Sequence, residues 1–435
     1  MKTKKDDSVH SVNVVTLGCS KNLVDSEYLL KQFKYNNLQI KVDENTFADL
    51  VIINTCGFIL DAKEESIDNI LQWVGAKKQG KIKKLIVMGC LSERYKGELQ
   101  EEIPEIDGLF GVNQFKEIIN SLNFSYQKQL VNERFITTPN HYAYLKISEG
   151  CDRTCAFCAI PSFKGKYTSR TLDEICKEAE FLSGQGTKEL ILIAQDLTYY
   201  GIDLYKKPML AELLNSLDSI NGIKWIRLHY AYPASFPMEL IQIMQKNPKI
   251  CRYLDIPFQH VNDNLLRNMR RGYRKKDIEN LIDQLRSKIP GIALRTSFIT
   301  GYPGEGEREF EELAEFINTQ EFERLGVFTY SHEDGTFAAE KYLDEIPFEE
   351  KLRRKEKLMQ IQQGISLKKN KEKIGQEIEV IVDREEGDLF IGRTQHDSPE
   401  VDNEVLITSG KKLSLGKFYK VRIHQVDEFD LYASI

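Results

Sequence analysis

The chain has 435 residues, 41% of them hydrophobic, and a formal net charge of −6 from 60 Lys and Arg against 66 Asp and Glu. That length implies two to four domains with sizeable cores, and the slight acidity excludes a chain drawn onto nucleic acid by overall charge, though not a local basic patch. The opening Met-Lys-Thr-Lys-Lys-Asp-Asp is charged and no apolar run approaches the ~20 residues needed to cross a bilayer, so a cytoplasmic protein is expected; in that reducing compartment the eight cysteines point to metal ligands before disulfides.

The first part of the chain alternates strand and helix signals: Val12 to Leu17 then Ser26 to Phe33, Leu50 to Asn54 then Ala62 to Val74, Leu85 to Met88 then Glu93 to Glu102. Each strand run ends almost on a cysteine beside a glycine: Gly18-Cys19, Cys56-Gly57 and Gly89-Cys90. In an open parallel sheet the carboxyl ends of the strands share one edge, where ligands bind, so these three thiols are expected to converge. One such cysteine alone would read as a buried apolar residue; three at the same point of successive units favour a ligand set. Cys176, inside Leu172 to Leu182, and Cys251, before Tyr253, lack that placement and read as structural.

A polar linker near Asn132 to Asn140 leads to strand-like runs at Tyr144–Ile147, Glu189–Ala194, Trp225–Leu228, Tyr253–Ile256, Ala293–Ile299 and Leu325–Thr329, separated by helical patterns. Six strand-helix units with right-handed crossovers predict a parallel, partly open barrel. In the loop after its first strand stand Cys151, Cys155 and Cys158, a CxxxCxxC run with Phe157 before the last cysteine. Three thiolates with no fourth leave one iron of a cubane cluster open to a substrate or cofactor. Structural zinc is the competing reading, but it closes a tetrahedron with four ligands, and here no second nearby pair exists. Barrel enzymes place active sites on this carboxyl face. Gly301-Tyr-Pro-Gly-Glu-Gly-Glu is glycine-rich but lacks the Lys-Ser/Thr ending of a nucleotide-binding loop.

A charged helix signal from Phe348 to about Lys373 gives way to period-two runs beginning at Glu377, Leu389, Glu404, Phe418 and Asp430, which predict a small antiparallel barrel. Between Gly375 and Ile435 thirteen Asp and Glu face seven Lys and Arg, a balance of −6. RNA binding rests largely on basic neutralisation of phosphates, so direct tRNA binding is not expected; the acidity is either a solubilising face or a dock for a basic protein.

These residues together resemble the radical S-adenosylmethionine methylthiotransferases over nearly the whole chain. The resemblance implies an α/β protein with a flavodoxin-like N-terminal domain (10–130) holding an auxiliary cluster on Cys19, Cys56 and Cys90. It implies a partial (βα)6 TIM-type radical core (137–370) with a second cluster on Cys151, Cys155 and Cys158, and a C-terminal all-β, OB-like TRAM barrel (371–435). Thr16-Leu-Gly-Cys-Ser-Lys-Asn-Leu-Val-Asp-Ser-Glu27 is similar to the branch that modifies an aspartate of the twelfth small-subunit ribosomal protein, whereas tRNA-modifying relatives usually carry Gln-Met-Asn after that cysteine. Tyr144-Leu-Lys-Ile-Ser-Glu-Gly, Ala194-Gln-Asp, Arg227-Leu-His-Tyr, Asp255-Ile-Pro-Phe-Gln-His and Phe328-Thr-Tyr-Ser-His-Glu-Asp-Gly-Thr resemble the same branch.

The implied cofactors are two 4Fe-4S clusters and S-adenosylmethionine, the latter as radical source and methyl donor. The implied partners are the ribosomal protein, free or within the ribosome, and an electron donor such as flavodoxin or ferredoxin, with no membrane. The implied reaction replaces C–H by C–S–CH3 at the β-carbon of aspartate, where polar acid-base catalysis has little purchase, and no catalytic side chain beyond the cluster ligands is assigned. By family position Phe157 would flank the adenine, Gln195 and Asp196 the methionine moiety, and Arg295, Thr296 and Gly301 the nucleoside; each could instead pack a strand end or a loop. The alternatives are a tRNA adenosine methylthiotransferase and a non-catalytic cluster-bearing module that binds the ribosome.

Overall fold

The computed structural model describes residues 8–42 and 46–435 and divides into two compact units. The first takes in the chain up to Thr137 with Glu149–Asp152 and Ala159–Tyr167; the second takes in Thr138–Ser148, Arg153–Cys158 and Thr168–Ile435. The charged Met1–Asp7 segment lies outside the described residues.

In the first unit β1 (Ser11–Thr16), β2 (Gln39–Lys41), β3 (Leu50–Thr55), β4 (Lys84–Gly89) and β5 (Gly108–Leu109) form a parallel sheet in the order β2-β1-β3-β4-β5. This is the flavodoxin-like doubly wound order, whose switch point falls between β1 and β3. Central β3 is buried along its whole length, as strands covered on both faces must be, and its side chains divide by the two-residue period: Val51 and Ile53 enter one core, Leu50 and Ile52 the other. The short edge strands β2 and β5 escape the sequence reading because so few residues carry no resolvable period. The expected linker is tied down through Thr137: Arg134 forms a buried ion pair with Glu27 at 2.8 Å, and the Thr137 backbone N–H donates to Glu27 Oε1 at 2.7 Å. A carboxylate as buried as Glu27 requires such partners.

In the second unit β6 (Tyr142–Lys146) opens a six-stranded parallel sheet. A short pair, β7 (Ser148–Glu149) and β8 (Thr168–Ser169), flanks the cysteine-bearing loop, and the sheet continues with β9 (Glu189–Ile193), β10 (Trp225–Leu228), β11 (Ile250–Asp255), β12 (Ala293–Thr300) and β13 (Arg324–Thr329). Its order, β13-β12-β11-β10-β9-β6, places successive strands side by side without closing the ring, as expected of a partial barrel. The helix Phe348–Lys371 starts where the charged pattern indicates.

The C-terminal strands, β14 (Glu377–Glu386), β15 (Leu389–Thr394), β16 (Val405–Thr408), β17 (Phe418–Val426) and β18 (Leu431–Ser434), close into a barrel in the order β14-β15-β16-β18-β17. The expected all-antiparallel pattern is corrected at one place, since β16 and β18 run parallel. Five strands in a closed ring cannot alternate direction throughout, so at least one neighbouring pair must be parallel.

Three of this barrel's thirteen acids turn inward. Asp397 pairs with Arg324 of the core, Asp383 with Arg393 and His141, and Asp402 with Arg295 and the Tyr253 hydroxyl. Arg227, fully buried, donates to Glu189 at 2.7 Å and to the Gln395 carbonyl at 2.8 Å. Trp225 and Phe418 meet edge to face, 4.8 Å between centroids, at the same seam. No helix among the described residues is long and apolar enough to cross a membrane.

Candidate active site

Cys56 and Cys90 follow β3 and β4 directly and Cys19 lies three residues past the end of β1, so Cys19 and Cys56 flank the switch point of the first sheet. Gly18 has φ +86°, and a Cβ there would lie 2.6 Å from Cys56 Cβ; Gly89 has φ +101°, and a Cβ would strike the Thr55 carbonyl at 2.6 Å. Only glycine permits both the left-handed turn and the close approach. Asn22 ties the three strand ends together: its Nδ2 donates to the Leu17 and Thr55 carbonyls at 2.9 and 3.1 Å, and its Oδ1 stands 3.9 Å from Cys90 Sγ. The Cys56 N–H is held by Ser66 Oγ at 3.1 Å.

Cys19 is exposed, Cys56 intermediate and Cys90 buried. Burial raises the Cys56 thiol and pushes Cys90 up to about 12, with the neighbouring cysteines adding to it and Lys164 opposing it. These mutual effects place the three sulfurs within electrostatic reach of one another. Lys164, whose side chain is 4% exposed, makes no hydrogen bond from Nζ, with Glu149 and Asp25 carboxylates 3.3 and 3.7 Å away. Burial works against its charge, but those two acids outweigh it and keep the ammonium protonated. Among the described residues no group of three candidate ligands closes on a single metal ion. A polynuclear cluster, bound through a different iron by each thiolate, requires a wider spacing, and three converging cysteines with a buried cation beside them fit an anionic iron-sulfur group.

The second set lies in the loop after β6 and β7. Gly150, at φ +75°, brings the backbone so close to Lys166 that a Cβ would lie 2.2 Å from its carbonyl, and the Cys151 N–H donates to Gly165 O at 3.1 Å. Further along, the Ala156 N–H donates to the Met269 carbonyl at 2.9 Å and its carbonyl accepts from the Ala338 N–H at 2.7 Å. Cys155 Sγ accepts a hydrogen bond from Arg271 Nη1 at 3.2 Å and has the Tyr232 hydroxyl 4.0 Å away. An outer hydrogen bond of this kind fits Cys155 as a thiolate ligand of an iron-sulfur cluster. Cys176 and Cys251 stand outside both sets. Cys251 is fully buried in β11 among Trp225, Tyr253 and Ala293, and burial pushes its thiol up to about 12.

The residues expected around S-adenosylmethionine are placed unevenly. Phe157, partly buried, packs against the apolar cluster that includes Leu265, Met269, Tyr302 and Tyr330. Gln195 and Asp196 follow the carboxyl end of β9; Asp196 caps the next turn through Thr198 N at 2.9 Å and accepts from Arg153 Nε at 2.8 Å. Thr296 is buried, its Oγ1 accepting from the Phe258 N–H at 3.3 Å. Gly301, just past β12, has φ +74° and donates to Glu305 Oε1 at 3.0 Å. Arg295 faces Asp255 and Asp402 with its guanidinium, each at 3.4 Å. It lies six residues before Gly301, about 20 Å along an extended strand. Arg271, Lys164 and the anchoring role of Asn22 were not anticipated from sequence. The turn chemistry of Arg270-Arg-Gly-Tyr273, with φ positive at Arg270 and Gly272, was the one available signal for Arg271.

An open parallel barrel with a CxxxCxxC loop after its first strand defines a radical S-adenosylmethionine enzyme. Residues 145–317 match the Radical SAM superfamily, 374–435 the TRAM domain, and 11–111 the family described as Uncharacterized protein family UPF0004. Ribosomal protein uS12 methylthiotransferase RimO of Bacteroides thetaiotaomicron is 53% identical over 426 residues, covering 98% of each chain, and that of Cytophaga hutchinsonii is 50% identical over 437 residues, covering 100% of each. The chain therefore belongs to the RimO family of radical S-adenosylmethionine methylthiotransferases. Among solved structures, the radical S-adenosylmethionine methyltransferase TsrM from Kitasatospora setae superposes with a TM-score of 0.56 at 14% identity, covering 76% of this chain and 77% of that one. The cobalamin-dependent enzyme OxsB gives 0.53 at 11%, covering 81% and 56%. Both likenesses concern the fold.

Proposed function

We propose that the chain transfers a methylthio group to the β-carbon of an aspartate in ribosomal protein uS12. The observation that carries this reading is the pair of three-cysteine sets, each at the carboxyl ends of a parallel sheet, in a chain about half identical end to end to uS12 methylthiotransferases. Cys151, Cys155 and Cys158 would hold one 4Fe-4S cluster, and Cys19, Cys56 and Cys90 a second. When bound, the first supplies reductive cleavage of S-adenosylmethionine to a carbon radical, and the second a sulfur to be methylated and transferred.

The chain's own residues have simpler tasks. Each three-cysteine set would leave one iron of its cluster without a protein ligand, Asn22 and Ser66 fix the turns that carry the first set, and Lys164 offsets negative charge beside it. Phe157, Gln195, Asp196, Arg295, Thr296 and Gly301 would bind S-adenosylmethionine. A one-electron donor of the flavodoxin or ferredoxin class would complete the system, and the site of action would be the cytoplasm.

Mass spectrometry of ribosomal proteins and of tRNA from a strain lacking the gene tests the substrate. Loss of a methylthio mass increment from uS12, restored by the intact gene, is the expected outcome. Loss of the increment from tRNA nucleosides instead would transfer the assignment to tRNA adenosine. No change in either, with no S-adenosylmethionine cleavage by the reduced protein, would leave a non-catalytic ribosome-binding module.

A further inference from the structure

Arg271 is 4% exposed, and each of its three guanidinium nitrogens donates a hydrogen bond. Nε donates to the Tyr273 hydroxyl at 2.7 Å, Nη2 to the Pro257 carbonyl at 2.6 Å and Nη1 to Cys155 Sγ at 3.2 Å. Its carrier is rigid: the Tyr273 hydroxyl donates to Phe258 O at 2.7 Å, the Tyr232 hydroxyl donates to the Arg271 carbonyl at 2.7 Å, and the Tyr232 ring stacks 4.5 Å from the guanidinium. Among the described residues no carboxylate lies within ion-pair distance of Arg271. A buried guanidinium without an acid is costly unless an anion is supplied in another form. The neighbours able to carry negative charge are two tyrosines and Cys155. Burial pushes both tyrosines above their usual range, and the acceptor that Nη1 meets is the Cys155 sulfur, at 3.2 Å; a cysteine ligates metal as the thiolate.

We propose that Arg271 is a positioning residue for the cluster on Cys151, Cys155 and Cys158, directing one hydrogen bond and one fixed positive charge at the Cys155 sulfur so that the cluster is more readily reduced. The inference rests on reading those cysteines as cluster ligands. Hydrogen bonds to cluster sulfurs and nearby charge are recognised levers on reduction potential. On reduction one electron arrives from a donor of the flavodoxin or ferredoxin class, no bond is made or broken in the protein, and the site gains one negative charge, which a fixed guanidinium favours. Because the bond reaches Cys155 alone, the iron bound there is the one most affected.

The test uses the full-length chain with Cys19, Cys56 and Cys90 changed to Ala, so that one set remains, loaded anaerobically with iron and sulfide. Midpoint potentials are measured by redox titration followed by electron paramagnetic resonance. Arg271→Met should keep the iron content and lower the midpoint by at least about 59 mV, a tenfold loss of reduced cluster at a fixed solution potential. Arg271→Lys, which keeps the charge but not the anchored fork, should fall between the two. An unchanged midpoint in Arg271→Met at equal iron content overturns the proposal. Should that variant fail to hold iron, Arg271→Lys decides, and a wild-type midpoint there overturns it equally. Absence of iron from the parent protein itself would instead defeat the cluster reading.

Discussion

Asp397→Asn probes the seam by which the C-terminal barrel is fastened to the core. Asp397 is fully buried; it accepts from Arg324 Nε at 3.0 Å and from the Thr394 hydroxyl at 2.5 Å. Burial alone would raise its carboxyl, but Arg324 and Lys373 outweigh that and hold it at about 2. Relative to an unfolded value near 3.9, this depression corresponds to about 2–3 kcal/mol, present above pH ~4 and lost as pH falls through about 2. The substitution does more than remove that linkage, because it leaves the Arg324 guanidinium buried without its counter-ion; breaking a buried pair in this way costs about 3–5 kcal/mol. The amide still accepts a hydrogen bond, so the lower end, about 3 kcal/mol, is expected. Trp225 reports on this seam through its contact with Phe418. In a Trp73→Phe background, urea unfolding followed by Trp225 fluorescence should show its midpoint fall by about 1 M or more, for slopes of about 1–3 kcal/mol per M. The difference between parent and variant should shrink as pH is lowered from 5 toward 2. A midpoint within about 0.3 M of the parent at pH 7 would refute the reasoning.

The proposed cluster assignment predicts about eight irons per anaerobically reconstituted chain, about four after changing Cys151, Cys155 and Cys158 to Ala, and loss of S-adenosylmethionine cleavage with them; full iron retention, or zinc in the wild type, argues against it. Changing Cys19, Cys56 and Cys90 to Ala should leave cleavage intact and abolish sulfur transfer, so methylthiolated product from that variant would count against an auxiliary cluster. Glu385, Glu386 and Asp388 are exposed at the β14–β15 turn, and reversing all three to Lys should weaken binding of a basic protein substrate more at low salt than at high salt, since exposed charges are screened over about 8–10 Å. Equal affinities at low salt would reject this patch as the dock.

What the sequence determined by itself was everything carried by local period and spacing. Short apolar runs ending on Gly18-Cys19, Cys56-Gly57 and Gly89-Cys90 mark where three strands stop, and a parallel sheet then gathers those ends whatever the details of packing. Cys151, Cys155 and Cys158 need only their own loop. Charge counts and distant pairings belong to the tertiary structure. The −6 of the last domain reads as a surface property, yet Asp383, Asp397 and Asp402 turn inward to His141, Arg393, Arg324 and Arg295, because facing and register decide where a carboxylate points and a one-residue slip reverses it. Arg271 and Cys155 are separated by 116 positions, and Asn22 meets Cys90 across 68. Such contacts exist only once β-strands and loops distant in sequence are brought side by side, and a guanidinium's partner is decided by which groups share its low-dielectric surroundings, a property of the folded interior that residue spacing does not encode.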